Sequence, residues 1–266
     1  MGTLVCFHAH PDDESIGTGG TLARAKAEGH RTVLVVATNG DHGEVPADLA
    51  PGETLVDRRR VETERSAAVL GIDRLVWLDY TDSGMTGWEQ NDHHQSFLQA
   101  PLDEAAALLA DVLRQESADV LVVYDWHGVY GHPDHVKVHH VGHRAAEMVG
   151  GVTVFEVTMN RDAIVRQFSA ASEAGERFGD RDDFDPNAPA DDGNPFGEPE
   201  SAITHSVDVT PYISQKRESM RCHASQLTDT SFFLTMPDDL FAVAFGTEWF
   251  IKPGADHGLH EGWLFE

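Results

Sequence analysis

HAHPDDE, residues 8–14, and YGHPDH, residues 130–135, are the stretches from which this chain is read. Each contains His-Pro-Asp, follows an apolar strand-like run and precedes a helix-like segment. Thr3–Phe7 (TLVCF) reads as a buried strand from its apolar, β-branched content, and Asp119–Tyr124 (DVLVVY) reads as another. The helix after the first motif is predicted over Ser15–Glu28, where Thr18, Leu22 and Ala25 fall at i, i+4 and i+7. The helix after the second covers Val136–Val149, with Val138, Val141, Ala145 and Met148 inward.

The same alternation extends outward. Strands are expected at Thr32–Ala37, Arg74–Leu78 and Val152–Val157. Helices are expected at Asp57–Leu70, with Val61, Ala68 and Val69 on one face, and at Leu102–Gln115. This pattern implies an α/β fold, a Rossmann-like three-layer sandwich with a mostly parallel central sheet and right-handed crossovers. In such sheets ligands bind beyond the carboxyl ends of strands. Both motifs are predicted at those ends, so they can meet.

Residues 1–266 read as one domain, with a core over 1–160 and a C-terminal strand–helix–strand segment over 201–266. That segment is read from Thr204–Val209, Pro211–His223 and the apolar run Leu240–Ile251. Between them, residues 172–200 hold ten acidic residues, four Pro and four Gly. They read as an acidic loop or insertion over the site, or as an inert linker. Asp79–Phe97 lacks a period and is rich in Asp, Gly, His and Trp, which suits a functional loop or a plain surface loop.

Forty-five acidic against 19 basic residues give a net charge of −26, and only four of the basic residues are Lys. Phosphate contacts need a basic footprint, so nucleic acid is not an expected partner, and neither is an anionic membrane surface. A Lys-poor, Asp-rich surface suits a high-salt interior, where self-repulsion is screened. No apolar stretch has the length of a membrane span. Cys6 reads as a core residue, and with Cys222 it does not make a disulfide framework. The first motif starts at residue 8, which leaves no room for a removed leader, so a cytoplasmic enzyme is expected. Self-association into a homo-oligomer stays open.

A catalytic metal site needs about three protein ligands and one open position. His10 and Asp13 lie just past one strand, and His135 comes from the second motif. Two imidazoles and a carboxylate suit one Zn²⁺ per chain and also accommodate Fe²⁺. Asp12 is then free to act as general base, with His132 and Tyr130 placed to stabilise an oxyanion. A single HPDDE also reads as a helix N-cap; two His-Pro-Asp motifs at two strand ends favour the metal. His139 and His143, on one helical face with His135, are candidates for ligands or for residues supporting the ligands, and read better as supporting or core residues. His8 is expected beneath the site. His93, His94, His127, His257 and His260 are expected on solvated loops. Gly17–Gly20 (GTGG) invites a dinucleotide-binding reading, but its spacing is wrong and carboxylates stand where a pyrophosphate would sit. Close helix–sheet packing suits it better.

The paired motifs resemble those of the LmbE-like (PIG-L) deacetylases, metal-dependent enzymes that remove N-acyl groups from N-acetylglucosamine-type sugars. The resemblance covers residues 3–150 well and the rest loosely. It implies the same Rossmann-like fold. It also implies metal ligands at His10, Asp13 and His135, a general base at Asp12, and oxyanion-side groups at His132 and Tyr130. Within the family the chain is most similar to the mycothiol-pathway branch, which holds a deacetylase of N-acetylglucosaminyl-inositol and an amidase of thiol S-conjugates. There Arg59 corresponds to a substrate-binding Arg and Asp82 to an Asp that binds sugar hydroxyls. Asp125–Val129 departs from the small Asn-Gly-Gly stretch of that branch, so Trp126 and His127 narrow or stack on the sugar subsite. Trp88 is a second stacking candidate. The implied function is metal-dependent deacetylation of a small amino sugar. The alternatives are cleavage of a thiol-conjugate amide and non-catalytic sugar or metal binding.

Overall fold

The computed structural model describes residues 1–173, 184–228, 231–256 and 258–265. His257 and part of the acidic insertion lie outside them. β1 (Thr3–His8) leads through α1 (Asp13–Gly17) and α2 (Gly19–Ala27) to β2 (Arg31–Thr38). α3 (Leu55–Leu70) leads to β3 (Arg74–Tyr80), and α4 (Leu102–Glu116) to β4 (Val120–Tyr124). A tight turn, α5 (Gly128–Gly131), and the long α6 (Pro133–Val149) lead to β5 (Thr153–Thr158). α7 (Arg161–Glu173), β6 (His205–Asp208), α8 (Ile213–Cys222), α9 (Phe232–Thr235), α10 (Asp238–Phe245), β7 (Thr247–Ile251) and β8 (His260–Glu261) complete the described chain.

The strands form one sheet in the order β3-β2-β1-β4-β5-β7-β6-β8. β3, β2, β1, β4 and β5 are parallel; β7 runs antiparallel to β5 and β6. The chain lays β2 and β3 on one side of β1, then returns to place β4 and β5 on the other. That reversal is the switch point where loops leaving adjacent strands diverge and open a crevice. The loops after β1 and β4, which carry the two motifs, flank it.

Right-handed crossovers put α2 and α3 on one face and α4 and α6 on the other. β1 is buried along its whole length. Phe7, Leu109, Leu113, Val138 and Val141 fill the layer between the sheet and α4 and α6. Each such side chain contributes about 1.5–3 kcal/mol when fully buried.

Several expectations are corrected by this architecture. The first helix breaks at Thr18 into α1 and α2. Leu240–Ile251 is not one strand: residues 238–245 form α10, because Phe241 and Phe245, four apart, pack as neighbours at 4.8 Å. Only Thr247–Ile251 pairs into the sheet. α3 has the expected span but not the expected face. Val61 is 42% exposed, while Arg59, Glu62, Thr63 and Ser66 are buried. That face meets α8 and a polar seam, where Glu62 accepts from the Ser225 amide and hydroxyl at 2.9 and 2.6 Å. His127 is buried rather than solvated. The GTGG segment packs closely, as a Cβ on Gly20 would come within 2.4 Å of Val209. The amides of Gly20 and Thr21 donate to the Glu248 carboxylate, both at 2.8 Å, so a protein carboxylate takes the anion position at that helix start. No helix among the described residues is long and apolar enough to cross a membrane.

Candidate active site

β1 ends at His8, which lies beneath the site. Its Nδ1 is 2.9 Å from the Tyr124 hydroxyl and its Nε2 is 2.8 Å from Thr18 Oγ1. Burial pushes its pKa down to about 4, against the pull of Asp13 and Glu14, so this ring is neutral at physiological pH. The chain then bends at Asp12, whose φ of 117° and ψ of −29° are rare for a residue with a Cβ. Such a conformation costs about 1–3 kcal/mol and persists only where the surroundings enforce it. Here Arg59 grips the turn by donating to the carbonyls of Pro11 and Gly40. The bend separates two adjacent carboxylates. Asp13 turns toward His10 and His135, and Asp12 lies 3.3 Å from the Arg59 guanidinium.

The second motif is shaped by Asp125. Its Oδ1 accepts from the His127 and Val129 amides at 3.2 and 2.8 Å, and its Oδ2 accepts from Thr158 Oγ1 at 2.5 Å. This holds Val129 at φ 69°, a strained value for a β-branched residue. Gly128 must be glycine, since a Cβ there would meet that of His135 at 2.4 Å. His132 caps α6: its Nδ1 accepts from the Asp134 amide at 3.1 Å, and Pro133 occupies the first turn.

The two loops converge on Asp13. Its Oδ2 is 3.4 Å from His10 Nδ1 and 3.4 Å from His135 Nε2. The His10 and His135 ring centroids are 5.3 Å apart. Each ring is fixed from its far side. His135 Nδ1 lies 3.2 Å from the Gly128 carbonyl, and the ring stacks on Tyr124 at 4.2 Å. His10 Nε2 lies 3.2 Å from Asp134 Oδ2 and 3.5 Å from Asp82 Oδ1. His135 Nε2 is buried with no hydrogen-bond partner.

This donor set fits a divalent cation. The far nitrogens bond to a carbonyl and a carboxylate, which leaves the near nitrogens with free lone pairs. The cluster is also short of positive charge. Burial would lower the His10 pKa, but Asp82, Asp13 and Asp134 outweigh it and hold the ring's proton well above its usual range. Burial raises Asp13, yet His135 and His10 hold it well below the carboxylate range. Two further triads could hold a metal here, His10 with His132 and His135, and His10 with Asp82 and Asp134.

Asp12 differs from Asp13. Burial raises it to about 6, with Arg59 holding it back and Asp13 pushing it up. His132 is held well below the imidazole range by burial and by His10 and His135. With Nδ1 accepting from an amide, its neutral form carries the proton on Nε2. Burial and the Asp13 charge raise Tyr130, so its hydroxyl stays protonated.

These groups line a cavity of about 410 Å³, a volume suited to a small ligand. Arg59, Asp82, Tyr130 and Trp88 are on its wall. Trp126 is not. It is 53% exposed and its Nε1 donates to Glu198 at 2.5 Å, so the structure keeps it outside the cavity. His127 is also turned away, with Nδ1 3.4 Å from Asp192. The described part of the insertion builds one wall instead. The Asp191 and Gly197 amides donate to the carbonyls of Tyr130 and Val129, which brings Phe196 to the cavity.

Sequence reasoning missed Asp134, which accepts from the Ser83 amide at 2.8 Å and orients His10. Its place inside the quoted motif was a usable signal. It also missed His223, which reaches Glu14 from 209 residues away with no local signal.

Fold and cluster together define a class: an α/β protein whose sheet presents, at its switch point, histidines and carboxylates able to hold a cation. The chain belongs to the PIG-L family, whose model, described as GlcNAc-PI de-N-acetylase, matches residues 5–146. The 1D-myo-inositol 2-acetamido-2-deoxy-alpha-D-glucopyranoside deacetylase of Acidothermus cellulolyticus is 35% identical, over 94% of this chain and 88% of its own. The protein of the same name from Nocardiopsis dassonvillei is 38% identical, over 97% and 98%. Among solved structures, the N,N'-diacetylchitobiose deacetylase of Pyrococcus horikoshii matches with a TM-score of 0.52 at 24% identity, over 90% of this chain and 72% of that one. At that identity the likeness shows the fold.

Proposed function

We propose that this protein is a cytoplasmic, Zn²⁺-dependent N-deacetylase of an N-acetylglucosamine-type small molecule, working as one domain over residues 1–266. The observation that carries the reading is the buried His135 Nε2, which makes no hydrogen bond and lies 3.4 Å from the same Asp13 oxygen that His10 Nδ1 faces at 3.4 Å. His10, Asp13 and His135 would hold the cation; the set also accommodates Fe²⁺. The names of the relatives support an acetylated glucosaminyl-inositol as substrate.

When bound, the cation supplies Lewis acidity, which lowers the pKa of water toward about 7. Asp12 takes a proton from the attacking water. The water oxygen bonds to the acetamide carbon, and His132 Nε2–H and the Tyr130 hydroxyl donate to the oxygen that gains charge. The C–N bond then breaks, Asp12 returns its proton to the amine, and acetate and a free amino sugar leave. Arg59 and Asp82 are the polar wall for sugar hydroxyls, and Trp88 offers a stacking face.

The test is amine release from acetylated glucosaminyl-inositol, with elemental analysis of the same samples. Asp12→Ala should lower kcat by about 10²–10⁴ and keep its metal. Metal loss in that variant would make Asp12 a ligand. Release only from a thiol S-conjugate would move the substrate class. No release from any N-acetylated sugar, with Zn²⁺ added, would overturn the proposal.

A further inference from the structure

α6 carries two more imidazoles beyond His135. His139 and His143 stand four apart on one face, with ring centroids 4.5 Å apart. Glu156 of β5 faces both. Its Oε1 is 2.8 Å from His143 Nε2 and 3.6 Å from His139 Nδ1. One donor atom from each of the three residues lies within 4.8 Å of the others. The side chain of Glu156 is 11% exposed, that of His139 15% and that of His143 31%.

The Glu156 carboxylate forms no ion pair with a Lys or Arg among the described residues; the two rings are its partners. A largely buried carboxylate with no Lys or Arg beside it is an anionic ligand that a bound cation would satisfy. Burial favours the neutral form of His139, although the Tyr124 carbonyl and Glu156 pull the other way. A cation would supply the missing charge. Two imidazoles at i and i+4 with one carboxylate are a donor set for Zn²⁺ or Co²⁺, and a poor one for Mg²⁺ or Ca²⁺, which take mainly oxygen ligands. The exposure of His143 leaves a side open for exchange and for a water ligand.

We propose that His139, His143 and Glu156 form a second divalent-metal site, distinct from the cluster at His10 and His135. Bound metal would clamp α6 to β5 behind Tyr124, whose ring backs His135.

The experiment is Co²⁺ titration of tag-free, metal-stripped protein, read by calorimetry and visible absorption. Wild type should bind two equivalents per chain. His143→Gln and Glu156→Gln should each bind one, with melting transitions showing both are folded. His135→Gln should keep the second site and rise in Tm on Co²⁺ addition, and H135Q/H143Q should not. Wild-type stoichiometry and spectrum in both H143Q and E156Q would overturn the proposal. If H135Q keeps two equivalents while H143Q keeps one, this site stands and the His10–His135 reading fails.

Discussion

Asp12 combines a strained backbone with a raised pKa, and both trace to the residues packed around it. Burial lifts its pKa to about 6, and the Arg59 guanidinium at 3.3 Å limits the rise. A general base works deprotonated, so kcat/KM should fall as pH drops through about 6 and level off above it. Arg59→Gln removes the restraining cation and should move that acid limb to higher pH. A pH–rate profile superimposable on wild type would show that Arg59 does not act on Asp12 by charge. Asp134 poses a different question. Its Oδ2 accepts from the Ser83 amide and faces His10 Nε2, fixing which nitrogen points inward. Asp134→Asn should weaken metal affinity by about 10–100-fold, measured by chelator competition. Unchanged affinity would mean the His10 ring is oriented by other contacts.

Among the elements, α1, α3 and α8 meet along a polar seam rather than an apolar one. Glu14 Oε1 lies 2.7 Å from His223 Nε2 and accepts from Ser66 Oγ at 2.5 Å; the Glu14 and His223 side chains are fully buried. Burial would raise Glu14, but His223 and Ser66 bring it below its usual 4.5; burial would lower His223, but Glu14 and Asp12 lift it above its usual 6.5. The Glu14 contribution is present above 4.5 and is lost as pH falls through the lowered value. The His223 contribution is complete below 6.5 and is lost as pH rises through the raised one. The pair therefore stabilises most between 4.5 and 6.5. His223→Gln should cost about 3–5 kcal/mol by urea unfolding near pH 5.5, with a smaller cost at high pH. A cost independent of pH would assign the loss to packing. The same seam explains why periodicity identified α3 as a helix but turned the wrong face inward. Its partners are buried polar groups, which hydrophobic spacing cannot register.

For the whole molecule, a net charge of −26 makes compaction work against self-repulsion. Urea midpoints should rise from low to molar salt with the slope unchanged, and a flat or falling midpoint would refute the salt-adapted reading. The α/β class, the strand ends and the metal-capable motif residues were legible because they rest on local signals. Apolar runs, helical spacing and His-Pro-Asp tripeptides carry their meaning within a few residues. Other features needed the assembled chain. Burial raises both Asp12 and Asp13, and only the imidazoles of His10 and His135, gathered on Asp13, set the two apart. The antiparallel pairing of β7 with β5 and β6 leaves the neighbouring apolar run to α10. Contacts from the insertion bring Phe196 to the cavity, while Trp126 stays outside. These depend on which distant surfaces touch, and the free energy of those contacts is not written in the spacing of any one segment.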